Sequence, residues 1–169
     1  MAQLAAGDDI AVRMNMRGHV TTSATVLSPT FDRVLLIHHR VFNEWLPPGG
    51  HYEPPDSLWG SAVRETTEET GLRNIDRHPW TVCHDLPIDI DTHPIPANVA
   101  KGEGPHVHHD FRFLAVAPDT AQLVAELSEV SEVRWAYVGE MRDSPDERVR
   151  ALHEKLSRLG IFGDALQRS

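Results

Sequence analysis

The chain has 169 residues, 40% of them hydrophobic and 24% charged, which fits one globular domain with a sizeable core. A formal net charge of -9 argues against general nucleic-acid binding, which needs a basic face. Cys83 is the single cysteine, so an internal disulfide is excluded.

No apolar run approaches the length of a membrane span, and the first residues lack a basic stretch followed by an apolar block. The expected setting is therefore cytoplasmic, with no membrane and no nucleic-acid partner. Residues 1–17 read as a lead-in, 18–160 as the domain and 161–169 as a tail.

In chain order, HVTTSATVL (19–27) is rich in β-branched residues and predicts a strand, and RVLLIHHR (33–40) predicts a second. The turn SPTFD between them suggests a hairpin. LPPGGHYEPP (46–55), with four prolines and two glycines, predicts a loop of fixed shape. Asp56 and Ser57 offer an N-cap for a helix running to about Thr70, with Leu58, Trp59, Ala62 and Val63 on its apolar side and Gly71 as its stop. A strand is expected near WTVCHDLPIDI (80–90), then a long Pro/Gly loop over 92–105. HVHHDFRFLAVA (106–117) and EVRWAYVG (132–139) predict strands, and 145–159 an amphipathic helix using Val149, Leu152, Leu156 and Leu159. Trp80 and Trp135 are assigned to the core. Strands and helices mix without regular βαβ alternation, which points to an α+β fold.

The 58–70 helix ends on Glu65, Glu68 and Glu69. Like charges one turn apart repel, and acids near a helix C-terminus oppose the dipole, so this arrangement needs compensation. At about 100° per residue the three carboxylates can converge, and a converging oxygen set suits a hard divalent cation such as Mg²⁺ or Mn²⁺. The alternative is a solvated acidic face with Arg64 paired to Glu68. The rigid loop directly before the helix favours the cation, because loop amides and helix carboxylates then face one phosphate-bearing ligand.

The stretch from Gly50 to Leu72 resembles a Nudix box, G-x5-E-x7-R-E-U-x-E-E-x-G-U, with every spacing kept. Asp56 stands in place of the first Glu and Thr66 in place of the first apolar residue. LPPGG before the box, Glu53 within it and EVRWAYV near the end extend the resemblance over roughly 19–160. It implies a Nudix-type α/β/α sandwich around a mixed sheet. It also implies Mg²⁺- or Mn²⁺-dependent hydrolysis of a pyrophosphate bond in a nucleoside diphosphate linked to another moiety. The resemblance makes Glu65, Glu68 and Glu69 metal ligands, with the carbonyl of Gly50 or a neighbour in reach. It makes Arg64 their orienting partner, and Glu65 or a distant acid the base. Candidates for that acid are Glu103, Asp110, Glu129 and Glu132. Many relatives pair, so a homodimer is also implied.

Period two places His106, His108, Asp110 and Arg112 on one face of the 106–117 strand, and Val107, His109, Phe111 and Phe113 on the other. The polar face suits a substrate pocket, where it would orient phosphate oxygens or add a metal ligand, since His-x-His on a strand can bind Zn²⁺. A solvated face with an internal His–Asp hydrogen bond is the competing reading. Trp45 is a candidate for stacking on a base, against a role as loop anchor, with Phe42 at a pocket edge and His51 near the phosphates. Two other functions stay open: a silent nucleotide-binding module, and an isoprenoid diphosphate isomerase. The isomerase would need a cysteine facing a glutamate, and Cys83 is its only candidate.

Overall fold

The computed structural model describes residues 3, 6–98 and 102–162. Residues 1, 2, 4 and 5 of the expected lead-in, 99–101 of the expected long loop and 163–169 of the expected tail lie outside the described residues.

Among the described residues, eight strands form one mixed sheet. β1 (His19–Leu27) is buried along its whole length and runs parallel to β7 (His106–Val116), from His19 opposite His108 to Leu27 opposite Val116. The other edge of β1 is shared. β4 (Gly49–His51) takes Thr21–Ser23, and β2 (Arg33–His39) touches only at Leu27 opposite Val34. The expected hairpin is thus reduced to one register pair, because β4 occupies the remaining edge. β2 instead pairs along its length with β8 (Val130–Tyr137), which begins two residues before the predicted start, and at its end with β3 (Glu44–Leu46).

β7 is covered by β6 (Asp89–Ile95) along its first half and by β5 (Asp76–Arg77) near its end. β6 extends the sheet into the segment read as a loop. Its residues alternate between half-buried and exposed, and Pro94 is tolerated because β6 is an edge strand. β4 likewise lies inside the predicted loop 46–55. A Cβ on Gly49 would lie 2.5 Å from the Ser23 Cβ, so only glycine lets the two strands approach this closely.

Two hydrophobic layers flank the sheet. α1 (Leu58–Thr70) packs Ala62 with Ala24, Val26, Phe113 and Ala115, and the Trp59 ring meets Phe113 edge-on. Val63, expected on this apolar side, is only half-buried, while Ser61 and Thr66 are buried. The Ser57 hydroxyl caps the helix start, and Gly71 ends it at φ 68°. Thr66 stays buried because its hydroxyl donates to the Ala62 carbonyl.

On the opposite face, α4 (Glu147–Arg158) packs Val149, Leu152 and Leu156 on Leu27, Val34, Leu36 and Leu114. Leu159 does not join them. It caps the helix and is 48% exposed, and Ile161 and Phe162 turn back into the core in its place. α3 (Gly139–Arg142) precedes α4. The layers are helix, sheet and helix, as expected of an α+β sandwich.

The predicted strand near 80–90 is a helix at its start, α2 (Pro79–His84). His78 caps it by accepting from the Trp80 N–H, Pro79 fits the first turn, and the Thr81 hydroxyl anchors it to the Leu114 carbonyl. These tertiary contacts override the β-branched residues that suggested a strand. Trp80 and Trp135 pack half-buried against the two core clusters. No helix among the described residues is long and apolar enough to cross a membrane.

Candidate active site

The polar face of β7 contributes His106, His108, Asp110 and Arg112 to the wall of a cavity. Parallel register with β1 and antiparallel register with β6 bring His19, Thr21, Ser23, His106, His108, Asp110, Arg112, Asp91 and His93 to the face that carries α4. Between this face and α4 lies a cavity of about 410 Å³. Its walls include His51, His93, His106 and His108, together with the apolar Phe42, Val41, Ile95 and Pro96.

Asp110 and Arg112 supply the charged part of the cavity wall. Asp110 accepts from the Ser23 hydroxyl at 2.8 Å and the Thr21 hydroxyl at 3.3 Å. The Arg112 guanidinium faces three carboxylates, Asp91 at 3.0 Å, Asp110 at 3.1 Å and Asp89 at 3.4 Å. Lys155 pairs with Asp89 at 2.6 Å, tying α4 to the same network.

Beside the cavity a second, acidic recess is built from the end of α1. Glu65, Glu68 and Glu69 line it together with Gly50, Glu53, Glu126 and Glu129. Gly50, His51 and Glu129 border both spaces, so the recess and the cavity are adjoining parts of one site.

The question posed by the crowded carboxylates is answered in part by protein groups. Arg64 pairs with Glu65 at 2.9 Å, Glu68 at 3.1 Å and Asp56 at 3.4 Å, and donates to the His51 carbonyl at 3.0 Å. Asp56, shorter than the glutamate of the Nudix pattern, still reaches the guanidinium. The Gly49 N–H donates to Glu69 Oε2 at 2.9 Å. The carbonyls at the helix end are capped by a distant segment: the Glu126 N–H donates to the Glu69 carbonyl and the Val124 N–H to the Thr70 carbonyl. That docking is what carries Glu126 and Glu129 to the recess.

The compensation is incomplete. Glu69 is 7% exposed, and burial pushes its carboxyl up to about 8, against the Gly49 hydrogen bond and with help from Glu65, Glu129 and Glu126. Burial also raises Glu65, against the pull of Arg64. A site that holds several acids in a partly desolvated cluster is suited to a cation. Glu65, Glu68, Glu69 and the adjacent Gly50 backbone offer only oxygen donors, the type that Mg²⁺ and Mn²⁺ prefer, although the three carboxylates do not converge as closely as the sequence suggested.

The structure distributes the remaining candidates unevenly. Of the distant acids, Glu129 borders both spaces, Glu103 lines the cavity and pairs with Arg13 at 3.1 Å, and Asp110 lines the cavity with its carboxylate held by Ser23, Thr21 and Arg112. Glu132 is exposed, opposite His38 on β2, and borders neither space. Trp45 is also outside the cavity wall. Its ring carries the Arg134 guanidinium 4.4 Å above it and meets His38 edge-on, whereas Phe42 is in the wall. Cys83 is exposed on α2 and lines neither space.

Sequence reasoning missed Glu126, Arg148 and His19. The first two depend on long-range docking that no local pattern signals. His19 opens an otherwise unremarkable strand, and only the register with His108 brings it against the cavity-lining histidines.

Comparison with known proteins identifies the family. The NUDIX domain family model matches residues 18–159. A Lactococcus lactis subsp. cremoris protein named "Probable DHNTP pyrophosphohydrolase" is 28% identical over 145 residues, covering 86% of this chain and 79% of that protein. A Bos taurus protein named "m7GpppN-mRNA hydrolase NUDT17" is 27% identical over 129 residues, covering 69% of this chain but only 41% of its own length. Among solved structures, a C. elegans Ap4A hydrolase binary complex superposes with a TM-score of 0.60 at 18% identity, covering 83% of this chain and 96% of that one, and so shares the fold. With the family model spanning most of the chain, this protein belongs to the NUDIX family and is a Nudix hydrolase, whose relatives are named as pyrophosphohydrolases.

Proposed function

We propose that the protein hydrolyses a pyrophosphate bond in a nucleoside diphosphate or triphosphate derivative, using Mg²⁺ or Mn²⁺ bound at Glu65, Glu68 and Glu69. The observation that carries this reading is the shared border of the acidic recess and the cavity at Gly50, His51 and Glu129. Phosphates belong at the recess and the heterocycle in the cavity.

A phosphoanhydride resists water because its oxygens repel a nucleophile; a cation held at the recess supplies charge neutralisation and a more acidic water. The chain's residues do the rest. Arg64 fixes the spacing of Glu65 and Glu68, and the Gly49 amide fixes Glu69. Glu65 or Glu129 accepts the proton of the attacking water. Phe42 takes the stacking role in preference to Trp45, whose face is occupied by Arg134. His51 meets the phosphates at the border, while His106, His108, Asp110 and Arg112 line the cavity side by side.

The Lactococcus relative makes DHNTP the first compound to assay, followed by other nucleoside triphosphates, dinucleoside polyphosphates and nucleotide sugars. Each is incubated with Mg²⁺ or Mn²⁺, and released pyrophosphate, phosphate or nucleoside monophosphate is measured. Glu69→Gln is expected to abolish nearly all turnover while circular dichroism shows the fold intact. No turnover across the panel, or wild-type turnover by Glu69→Gln, would overturn the reading.

A further inference from the structure

Five imidazoles gather at the cavity: His51, His93, His106 and His108 line it, and the buried His19 packs against His51, His106 and His108. His19 stacks on His106 with centroids 4.9 Å apart and tilts against His108 at the same distance. His51 and His93 meet His108 edge-on. Three of the five converge: one nitrogen from each of His19, His106 and His108 lies within 4.8 Å of the other two.

Their outer hydrogen bonds set which nitrogens are available. His106 Nδ1 lies 2.8 Å from the Gly104 carbonyl, and His19 Nδ1 lies 3.2 Å from the Asn15 carbonyl. A carbonyl only accepts, so each ring carries its proton on Nδ1 and presents Nε2 as a lone pair. His106 Nε2 and His108 Nε2 are 3.0 Å apart. His19 is 1% exposed, and its Nε2 is buried without a hydrogen-bond partner. A buried, unpartnered acceptor is rare, and its natural partner here is a cation.

We propose that His19, His106 and His108 form a three-histidine site for a borderline divalent transition ion, Zn²⁺ by preference, separate from the carboxylate site on α1. Three nitrogens about 2.05 Å from a tetrahedral ion sit about 3.3 Å from one another, so small ring rotations close the present set. The backbone carbonyls of Asn15 and Gly104 already hold two ligands in the required tautomer, as outer-shell partners do in metal sites. His108 needs only to carry its proton on Nδ1. Imidazole nitrogen selects Zn²⁺, Co²⁺ or Ni²⁺ over Mg²⁺, so the two sites differ in metal preference. No fourth His, Cys, Asp or Glu among the described residues joins the group, which leaves the remaining position to water or to a ligand in the cavity. The site does not depend on the proposed hydrolysis.

The test uses the full chain, stripped with chelator and titrated with Co²⁺ as the probe. Wild type and the Glu65→Gln/Glu69→Gln variant are both expected to retain one equivalent after gel filtration, with the visible absorption of a nitrogen-ligated, low-coordinate ion. His19→Ala and His106→Ala are each expected to lose at least about tenfold in affinity. Folding of the variants is followed by circular dichroism. In wild type and the glutamate variant, but not in the histidine variants, Zn²⁺ is expected to raise the unfolding temperature in the presence of saturating Mg²⁺. Absence of a retained ion in wild type, retention unchanged in both histidine variants, loss confined to the glutamate variant, or no thermal shift with Zn²⁺ would each overturn the proposal, whatever the outcome of the hydrolase assays.

Discussion

The Glu65 carboxylate lies where a side chain on Gly50 would have to go: a Cβ built there meets Glu65 Oε2 at 2.4 Å. The neighbouring glycine has a different obstruction, since a Cβ on Gly49 meets the Thr22 carbonyl at 2.6 Å as well as Ser23. A flexible carboxylate can be pushed aside, and a strand backbone cannot. Gly50→Ala is therefore expected to displace Glu65, weakening Mn²⁺ binding and turnover about tenfold or more, with a modest loss of stability. Gly49→Ala is expected to cost about 1–3 kcal/mol of stability first. Electron paramagnetic resonance of Mn²⁺ and urea denaturation separate the two effects.

Glu69 supplies a pH prediction. Its folded carboxyl sits at about 8, above the ordinary value of 4.5, so the folded state holds a proton that the unfolded state has released. The stability associated with the protonated form is present below the ordinary value and is lost as pH rises toward 8. Metal-free protein is expected to become less stable across that window, and Glu69→Gln to flatten the loss. Metal binding must expel the proton, so Mn²⁺ affinity should rise with pH up to about 8, with close to one proton released per ion near neutrality. Calorimetry in buffers of different ionisation enthalpy measures that proton directly.

Arg64 acts as a fork and not only as a charge. Arg64→Lys keeps the charge but cannot reach Asp56, Glu65, Glu68 and the His51 carbonyl together, and turnover is expected to fall about tenfold or more. Arg64→Ala is expected to cost about 2 kcal/mol of stability in addition. Asp56→Glu, which restores the Nudix pattern, is expected to change stability by less than about 0.5 kcal/mol, because the pair with Arg64 is partly exposed. Denaturant titration with parallel kcat measurements checks all three.

Among the distant acids the expected order follows position. Glu129→Gln, at the border of recess and cavity, should lower kcat by about a hundredfold. Glu132→Gln, exposed beyond both spaces, should leave kcat unchanged. Equal losses in the two variants would remove Glu129 from the chemistry.

The parts legible in the sequence are those governed by local rules. Ser57, Gly71 and the glutamate spacing belong to one helix, and the alternation of His106, His108, Asp110 and Arg112 belongs to one strand. Parts that rest on long-range pairing were not legible. α2 reads as a strand because Thr81 and Val82 are β-branched, and only the Leu114 carbonyl and the His78 cap explain the helix. β6 contains a proline and reads as a loop until its place at the sheet edge is known. Glu126 and Glu129 reach the recess because their segment caps the carbonyls of Glu69 and Thr70, an event far away along the chain. Leu159 satisfies the helical period, yet the helix ends one residue before it.

The parallel ladder between β1 and β7 has a kinetic consequence. His19 meets His108 only after nearly ninety intervening residues have been looped out, and a parallel pairing of that span cannot nucleate locally. A growing polypeptide that has released β1 and even the whole of α1 still lacks its central strand partner. Catalytic competence should therefore emerge late and all at once during synthesis, and an amino-terminal fragment ending before β7 should expose a sticky strand edge to chaperones instead of displaying partial activity.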